Sequence, residues 1–494
     1  MPGFLSTYRN LKNRLLQYPL AVMVLFCIIT RLPQLISPHL LLDPDECITA
    51  MMAKKLMQGK DFSLFFWGQQ YGLTIIESAI IIPFYWLLGT GTLAVKLAML
   101  SLWTIGVIYL YKFLTLIHKG DNHNPLLLTL LFTCLPAWAV FSMNAWGGTI
   151  TAFTISSLFL YQLFLPKKSF FYWIILGLLL ELVYEAKLLW LIGILPIFIY
   201  KMILERNAKK ILTISATIFI FFVAFSIYKR NIFAVYKPVF LPPDEEHFWP
   251  YICRYPFYQY QSFTGYYYFD WYQTPDTPSH VLAICSCILM GLLVLSAIYL
   301  LVRKRKDAFL FFCTTLFVFG LWMASTFTEH MEGRYLLPAS GFIIIALCLA
   351  DRFLIYHKVK RIVYLTLILI GFCSMMPFYY FDVKAERKQE LYSIINALER
   401  HKIPCSFSKD CMLPWQIIYY SNERLISCIP FYPGRYKPYY DSCEQNLKSG
   451  GRNAIIGYKD SAPKADSNNI ILFKEFYINL APKPEEIRKD FFIH

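Results

Sequence analysis

Residues 17–62 read QYPLAVMVLFCIITRLPQLISPHLLLDPDECITAMMAKKLMQGKDF. The first part, 17–36, is almost wholly apolar and has the roughly twenty residues that a helix needs to cross a bilayer. The basic RNLKNR just before it and the lack of a small-residue cleavage site mark a signal anchor rather than a cleaved leader. The chain then turns polar at once, and Asp43, Asp45 and Glu46 follow directly after the apolar run.

Working outward, the same alternation recurs along most of the chain. Hydrophobic residues make up 57% and charged residues 16%, against about a quarter charged in an average soluble protein, so the bilayer is the expected solvent. Aromatics reach 18%, with 35 Tyr and 42 Phe; such rings collect at membrane interfaces. The net charge of +15 sits in short basic clusters between apolar runs, the pattern of cytoplasmic loops and not of a nucleic-acid-binding face.

Spanning helices are expected at 17–36, 93–117, 125–142, 149–165, 170–186, 188–204, 210–228, 280–302, 308–327, 335–350 and 361–380. The segment 73–89 contains Glu77 and Pro83 and either crosses or dips into the membrane. The basic clusters at 9–14, 201–210, 303–306 and 352–361 all fall inside if the N-terminus is inside. Loops 37–72, 229–279 and 328–334 and everything after 382 then face outward. The fold class expected is an α-helical polytopic membrane protein of about 11 to 13 membrane helices, with a small extracytoplasmic α/β domain at its C-terminus. The expected division is 1–382 for the membrane domain and 383–494 for the soluble one, where an amphipathic stretch, 386–400, and β-like runs, AIIGY and NIILF, appear. Its Cys405, Cys411, Cys428 and Cys443 fit one or two disulfides of unread pairing.

Three constellations carry chemistry. Asp43, Asp45 and Glu46 stand at the membrane lip, where anionic oxygens can deprotonate a nucleophile or bind a cation; the plainer reading is a solvated loop in which Asp45 caps a helix over 46–58. Tyr71 precedes Glu77, a carboxylate just inside an apolar run, which is either functional or snorkels to the interface. Glu185 and Lys187 interrupt apolar sequence in the same way or pair with their neighbours. The third is EHMEGRYLLP, 329–338, where Arg334, followed by Tyr335, either has its planar fork set for a phosphate or carboxylate or merely marks a loop. A Walker A loop, HExxH, GxSxG and a CxxC pair are all missing, so nucleotide hydrolysis, zinc proteolysis and serine hydrolysis lack support. No metal ligands are assigned, and a divalent metal stays open.

In order along the chain, PDECITAMMAKKLMQGKDF, GQQYGLTIIESAIIIPFYWLLG, NAWGGT (144–149), GLLLELVYEAKLLWLIGILP (177–196) and GRYLLP (333–338) resemble the GT-C superfamily of membrane glycosyltransferases. The branch they are most similar to is the glycosyltransferase family 39-like one, with protein O-mannosyltransferases and bacterial aminoarabinose transferases. The resemblance covers most of 17–350, and WQIIYYSNERLISCIPFYPGRYKPYY looks like the tail of bacterial members. It implies an enzyme that moves a sugar, with inversion, from a polyprenyl-phosphate carrier to a glycan, lipid or protein acceptor on the outer face of a bacterial inner membrane. The site would then face the periplasm or exterior, with the lipid-linked sugar as donor and no nucleic acid as partner. Carried onto this chain, Asp45 is the base, Glu46 and Glu77 support it, and Lys187 and Arg334 contact the phosphate, with Asp43, Tyr71 and Tyr335 as further substrate contacts. Two features depart from the pattern. Asp43 is an extra acid that competes with Asp45 for the match to the catalytic one, and Glu185 stands where an uncharged residue is usual. A transporter or channel with an outward charged site, or an inactive scaffold of the same fold, are the competing readings.

Overall fold

The structure is a computed structural model. It describes residues 18–118, 123–166, 169–232, 310–315, 336–351, 357–375, 382–410, 413–429, 435–463 and 469–491, with single helical positions at 295, 298, 299, 302 and 320. The helical part begins with α1 (Pro19–Ile29) and the short α2 (Leu32–Leu35). The single helix expected over 17–36 is therefore broken. Pro33 removes a backbone donor and its ring opposes the carbonyl four residues back, which is that of Ile29.

Next come α3 (Pro44–Met57), α4 (Ile75–Leu88), α5 (Thr92–His118), α6 (His123–Thr133) and α7 (Pro136–Phe141). The span expected over 125–142 is also split, because Leu135 is extended before Pro136, as the residue preceding a proline prefers. Then follow α8 (Thr149–Phe164), α9 (Phe170–Ala186), α10 (Leu188–Glu205), α11 (Ala208–Arg230), α12 (Leu337–Asp351) and α13 (His357–Met375). Among the described residues, α5, α10 and α11 are long and apolar enough to cross a membrane, and several shorter apolar helices accompany them. The expected span 280–302 lies mostly outside the described residues, and within 308–327 the described residues 310–315 and 320 are helical.

Helix α4 occupies most of the segment 73–89. Its first turn is tied to the loop after α3 by the Ile75 amide on the Leu64 carbonyl at 3.1 Å. Near its other end Tyr85 donates to the Ala50 carbonyl of α3 at 3.1 Å. Trp86 and Leu87, 73% and 79% exposed, form an apolar tip at its C-terminus.

The tail opens with α14 (Asp382–Arg400) and continues through β1 (Cys405–Ser408), α15 (Leu413–Tyr420), β2 (Ile426–Cys428), α16 (Lys437–Lys448), β3 (Asn453–Tyr458), β4 (Ile470–Leu472), β5 (Phe476–Asn479) and α17 (Pro484–Phe491). The five strands run in the order β2-β1-β3-β5-β4. β1 is parallel to β2 and β3, whereas β5 is antiparallel to β3 and β4. The period of two in AIIGY divides the core: Ala454 and Ile456 pack with Leu391, Ile394 and Leu398 of α14, while Ile455 turns to Cys443 and Leu447 of α16 and Phe491 of α17. Cys405, Cys428 and Cys443 share this second core as thiols, and no disulfide joins the described cysteines. Cys411 lies outside the described residues.

Candidate functional site

The site is built on the N-terminus of α3. Asp43, not Asp45, caps this helix: its Oδ1 accepts from the Glu46 amide and Glu46 Oε2 accepts from the Asp43 amide, both at 2.9 Å. This reciprocal box satisfies two of the donors that a helix start leaves open. The plainer reading, in which Asp45 caps the helix, is thus corrected. Pro44 keeps Asp43 extended, at φ −73° and ψ 172°, the backbone shape a cap residue needs. The second Asp43 oxygen accepts from the Trp146 indole N–H. Burial, followed by the charges of Glu46 and Asp45, pushes the Asp43 carboxyl up to about 7. The residue retains some accessible surface even though its carboxyl lies deep among protein atoms.

Glu46 is buried together with Lys96 of α5, whose Nζ lies 2.5 Å from Glu46 Oε1 and 2.8 Å from Asn144 Oδ1. The side chains are 1% and 4% exposed, so two opposite charges removed from water are joined in one closed network. Thr49 adds a bond to the Ala145 carbonyl at 2.9 Å. The helix that carries the acids is therefore held to α5 and to the loop 142–149.

That loop also reaches the second constellation. Asn144 serves Lys96, Trp146 serves Asp43, and the Gly148 amide donates to Glu77 Oε1 at 3.0 Å. Gly148 is the N-cap of α8, so the Glu77 carboxylate, with Thr151 at 3.4 Å, lies against the positive end of that helix. Glu77 is completely buried, and its Oε2 has no hydrogen-bond partner among the described residues. Gly72 makes the approach of the two loops possible: at φ +76°, a Cβ there would come within 2.5 Å of the Gly147 carbonyl oxygen.

Lys187 marks the break between α9 and α10. Its Nζ stands 5.8 Å from the ring centre of Tyr71 and faces Glu77 across the same space. Glu185 does not pair with Lys187: its side chain meets Lys229 at 2.5 Å, and its backbone carbonyl accepts from the Gly72 amide. Tyr71, Glu77 and Lys187 thus come together, as do Asp43, Asp45 and Glu46, and loop 142–149 joins the two groups. Arg334 and Tyr335 lie outside the described residues.

Asp45 is the most open acid of its group, with a side chain 32% exposed. Its Oδ1 accepts from Nη1 of Arg435, a residue of the tail, at 3.2 Å. The Arg435 guanidinium lies 4.9 Å from the Phe66 ring centre, and the neighbouring Tyr436 stacks on Trp67 at 4.1 Å. Further out, Glu423 of the tail is held by Lys54 at 2.8 Å and Lys55 at 2.5 Å on α3. Burial opposes its ionised form, but the bonds from Lys54, Lys55 and Tyr439 outweigh that and hold the carboxyl at about 2. Gln416 and Tyr420 clasp the Leu42 carbonyl and amide, each at 2.8 Å. Among the described residues no group of three or more His, Cys, Asp or Glu side chains is placed to hold a metal ion.

Sequence reasoning passed over Lys96, Asn144, Trp146 and Arg435. Lys96 had a signal, a cation within the apolar run of a long helix, the kind of residue that marks an intramembrane site. Asn144 and Trp146 fall within NAWGGT, and Arg435 within the tail stretch, but nothing in either stretch tells which acid each one meets.

Two crystal structures of ArnT from Cupriavidus metallidurans match the chain along nearly its whole length. The one bound to undecaprenyl phosphate gives a TM-score of 0.57, covering 94% of this chain and 97% of that one. The apo structure gives 0.59, covering 96% and 100%. The chain has the fold of ArnT. This agrees with the architecture that the ordered motifs led one to expect, and it is kept at 11% identity. No protein-family model and no curated protein matches the chain in sequence. The likeness accounts for the mostly helical body and the small C-terminal sheet.

Proposed function

We propose that the chain is an inverting glycosyltransferase that moves a sugar from a polyprenyl-phosphate carrier to an acceptor on the outer face of the membrane. The observation that carries this reading is an accessible carboxylate, Asp45, beside an arginine at one end of an ArnT-like helical bundle, on the side where the tail is docked. The solved ArnT that binds undecaprenyl phosphate supports a lipid-phosphate donor. The basic clusters support an orientation with this end, and the domain 383–494, outside.

In the displacement, an acceptor hydroxyl gives its proton to Asp45 while its oxygen forms a bond to the anomeric carbon. The bond from that carbon to the carrier's phosphate oxygen breaks, and the phosphate leaves with the electron pair. Lys187 and Arg334 receive the charge that develops on it, with Tyr71 and Tyr335 along the donor. Glu46 and Glu77 act by holding the frame, through Lys96 and through the start of α8. Asp43 is bonded at both oxygens and serves as the cap, which leaves Asp45 as the acid open to an acceptor.

A transfer assay with purified protein and a polyprenyl-phosphate-linked sugar tests this. Asp45→Asn lowers turnover by about 10² to 10⁴-fold with donor binding retained, the range of a lost general base. Asp43→Asn is much milder, since Asn also caps helices. An active Asp45→Asn beside an inactive Asp43→Asn would reassign the base, and activity in both would remove this loop from the catalytic centre.

A further inference from the structure

We propose that Arg435 of the tail is shared between the base and the donor: it holds Asp45 while the site is empty, and the carrier's phosphate draws it off, leaving the carboxylate open to the acceptor. The inference rests on the transferase reading above and goes beyond it by giving the tail a direct part in donor recognition.

The geometry separates a fixed anchor from a movable head. At its base Arg435 is held firmly. Gly68, at φ +72°, has no side chain toward it, and a Cβ there would stand 2.9 Å from the Arg435 Cα. The next residue, Tyr436, stacks on Trp67, and Trp67 in turn donates from its indole to Asp61 at 2.9 Å. From this anchor the long side chain runs over Phe66 and ends at the mouth of the site, 21% exposed, against Asp45.

The two ion pairs of the site differ in what they allow. Lys96 and Glu46 are sealed, and separating them would leave a charge buried without a partner. Arg435 and Asp45 are both reachable by solvent, and pairs of that kind contribute little to stability, so exchanging one anion for another is easy. The donor's phosphodiester offers oxygens spaced for a guanidinium fork, and its charge grows as the sugar is transferred, so it wins the exchange. While Nη1 bonds Asp45 Oδ1, the arginine competes with an acceptor hydroxyl for that carboxylate. Once the phosphate has taken the guanidinium, both carboxylate oxygens are available to the acceptor.

The test is binding of polyprenyl phosphate to the full-length protein in lipid nanodiscs, with inorganic phosphate titrated in parallel. Arg435→Ala weakens polyprenyl phosphate by roughly 10 to 100-fold, as loss of a charge-assisted bond implies, and Arg435→Lys falls between it and wild type. Exchange has a further signature: Asp45→Asn frees the guanidinium and tightens the lipid phosphate by a few fold, and the gain disappears in Asp45→Asn with Arg435→Ala. A merely structural Arg435 would not produce that gain, and unchanged melting of Arg435→Ala excludes misfolding as the cause of its loss. Equal affinity in wild type and Arg435→Ala, or no tightening in Asp45→Asn, overturns the inference and leaves the transferase reading standing. A response confined to inorganic phosphate assigns the arginine to a soluble anion and also overturns it. Failure of wild type to bind polyprenyl phosphate at all overturns both.

Discussion

Replacing Lys96 by Met probes the strut beneath the site. Met keeps most of the stem's volume, so the change removes the ammonium and little packing. Two bonds are lost, to Glu46 at 2.5 Å and to Asn144 at 2.8 Å. Hydrogen bonds to charged groups contribute about 1.5–3 kcal/mol each, and the Glu46 carboxylate, 1% exposed, keeps only the Asp43 amide. Removing one partner of a buried pair costs about 3–5 kcal/mol, and that is the destabilisation expected here. Removing both charges, with Glu46→Gln added, leaves no isolated ion, so the double variant recovers about 2 kcal/mol or more relative to the sum of the single ones. Equilibrium unfolding in mixed micelles at fixed detergent composition measures the cycle. A loss below about 1 kcal/mol for Lys96→Met, the level of a surface pair, or a double variant no better than the sum, would refute the account of a sealed pair holding α3.

Three other outcomes follow from the same geometry. Glu423, held at about 2 against an ordinary 4.5, binds protons less readily folded than unfolded, so its contribution to docking is complete above pH 4.5 and is lost as pH falls toward 2; the melting difference between wild type and Glu423→Gln therefore shrinks below pH 4.5, and a constant difference down to pH 3 would contradict the latch. Gly72→Ala, which needs φ +76° and meets the Gly147 oxygen, loses on the order of 1–3 kcal/mol or more, read as a lowered melting midpoint with donor transfer impaired; a neutral effect on both would show that the two loops can part. A reporter active only in the cytoplasm, fused after His494, stays silent, and strong activity there would reverse the orientation.

Much of this protein was legible in the order of its residues because the bilayer imposes a simple rule. Backbone groups in lipid must bond within their own segment, so long apolar runs such as 93–117 and 210–228 announce helices, and α5 and α11 follow them to within a few residues. The β-like runs AIIGY and NIILF likewise announced strands, and the ordered motifs announced the ArnT fold. Proline breaks were misjudged at 17–36 and 125–142 because hydropathy averages over a window, whereas a missing N–H acts at one residue. What the chain order could not supply was the assignment of partners. Asp43 and Asp45 are two residues apart and chemically identical, yet one faces Trp146 and becomes a buried cap while the other faces Arg435 across 390 positions of sequence and stays open. Glu77 found the start of α8, and Glu185 found Lys229 instead of the nearer Lys187. Such pairings depend on close approach of distant segments, set by glycines at 68, 72 and 148 and by the docking of the tail. Only the packed structure fixes which charge neutralises which.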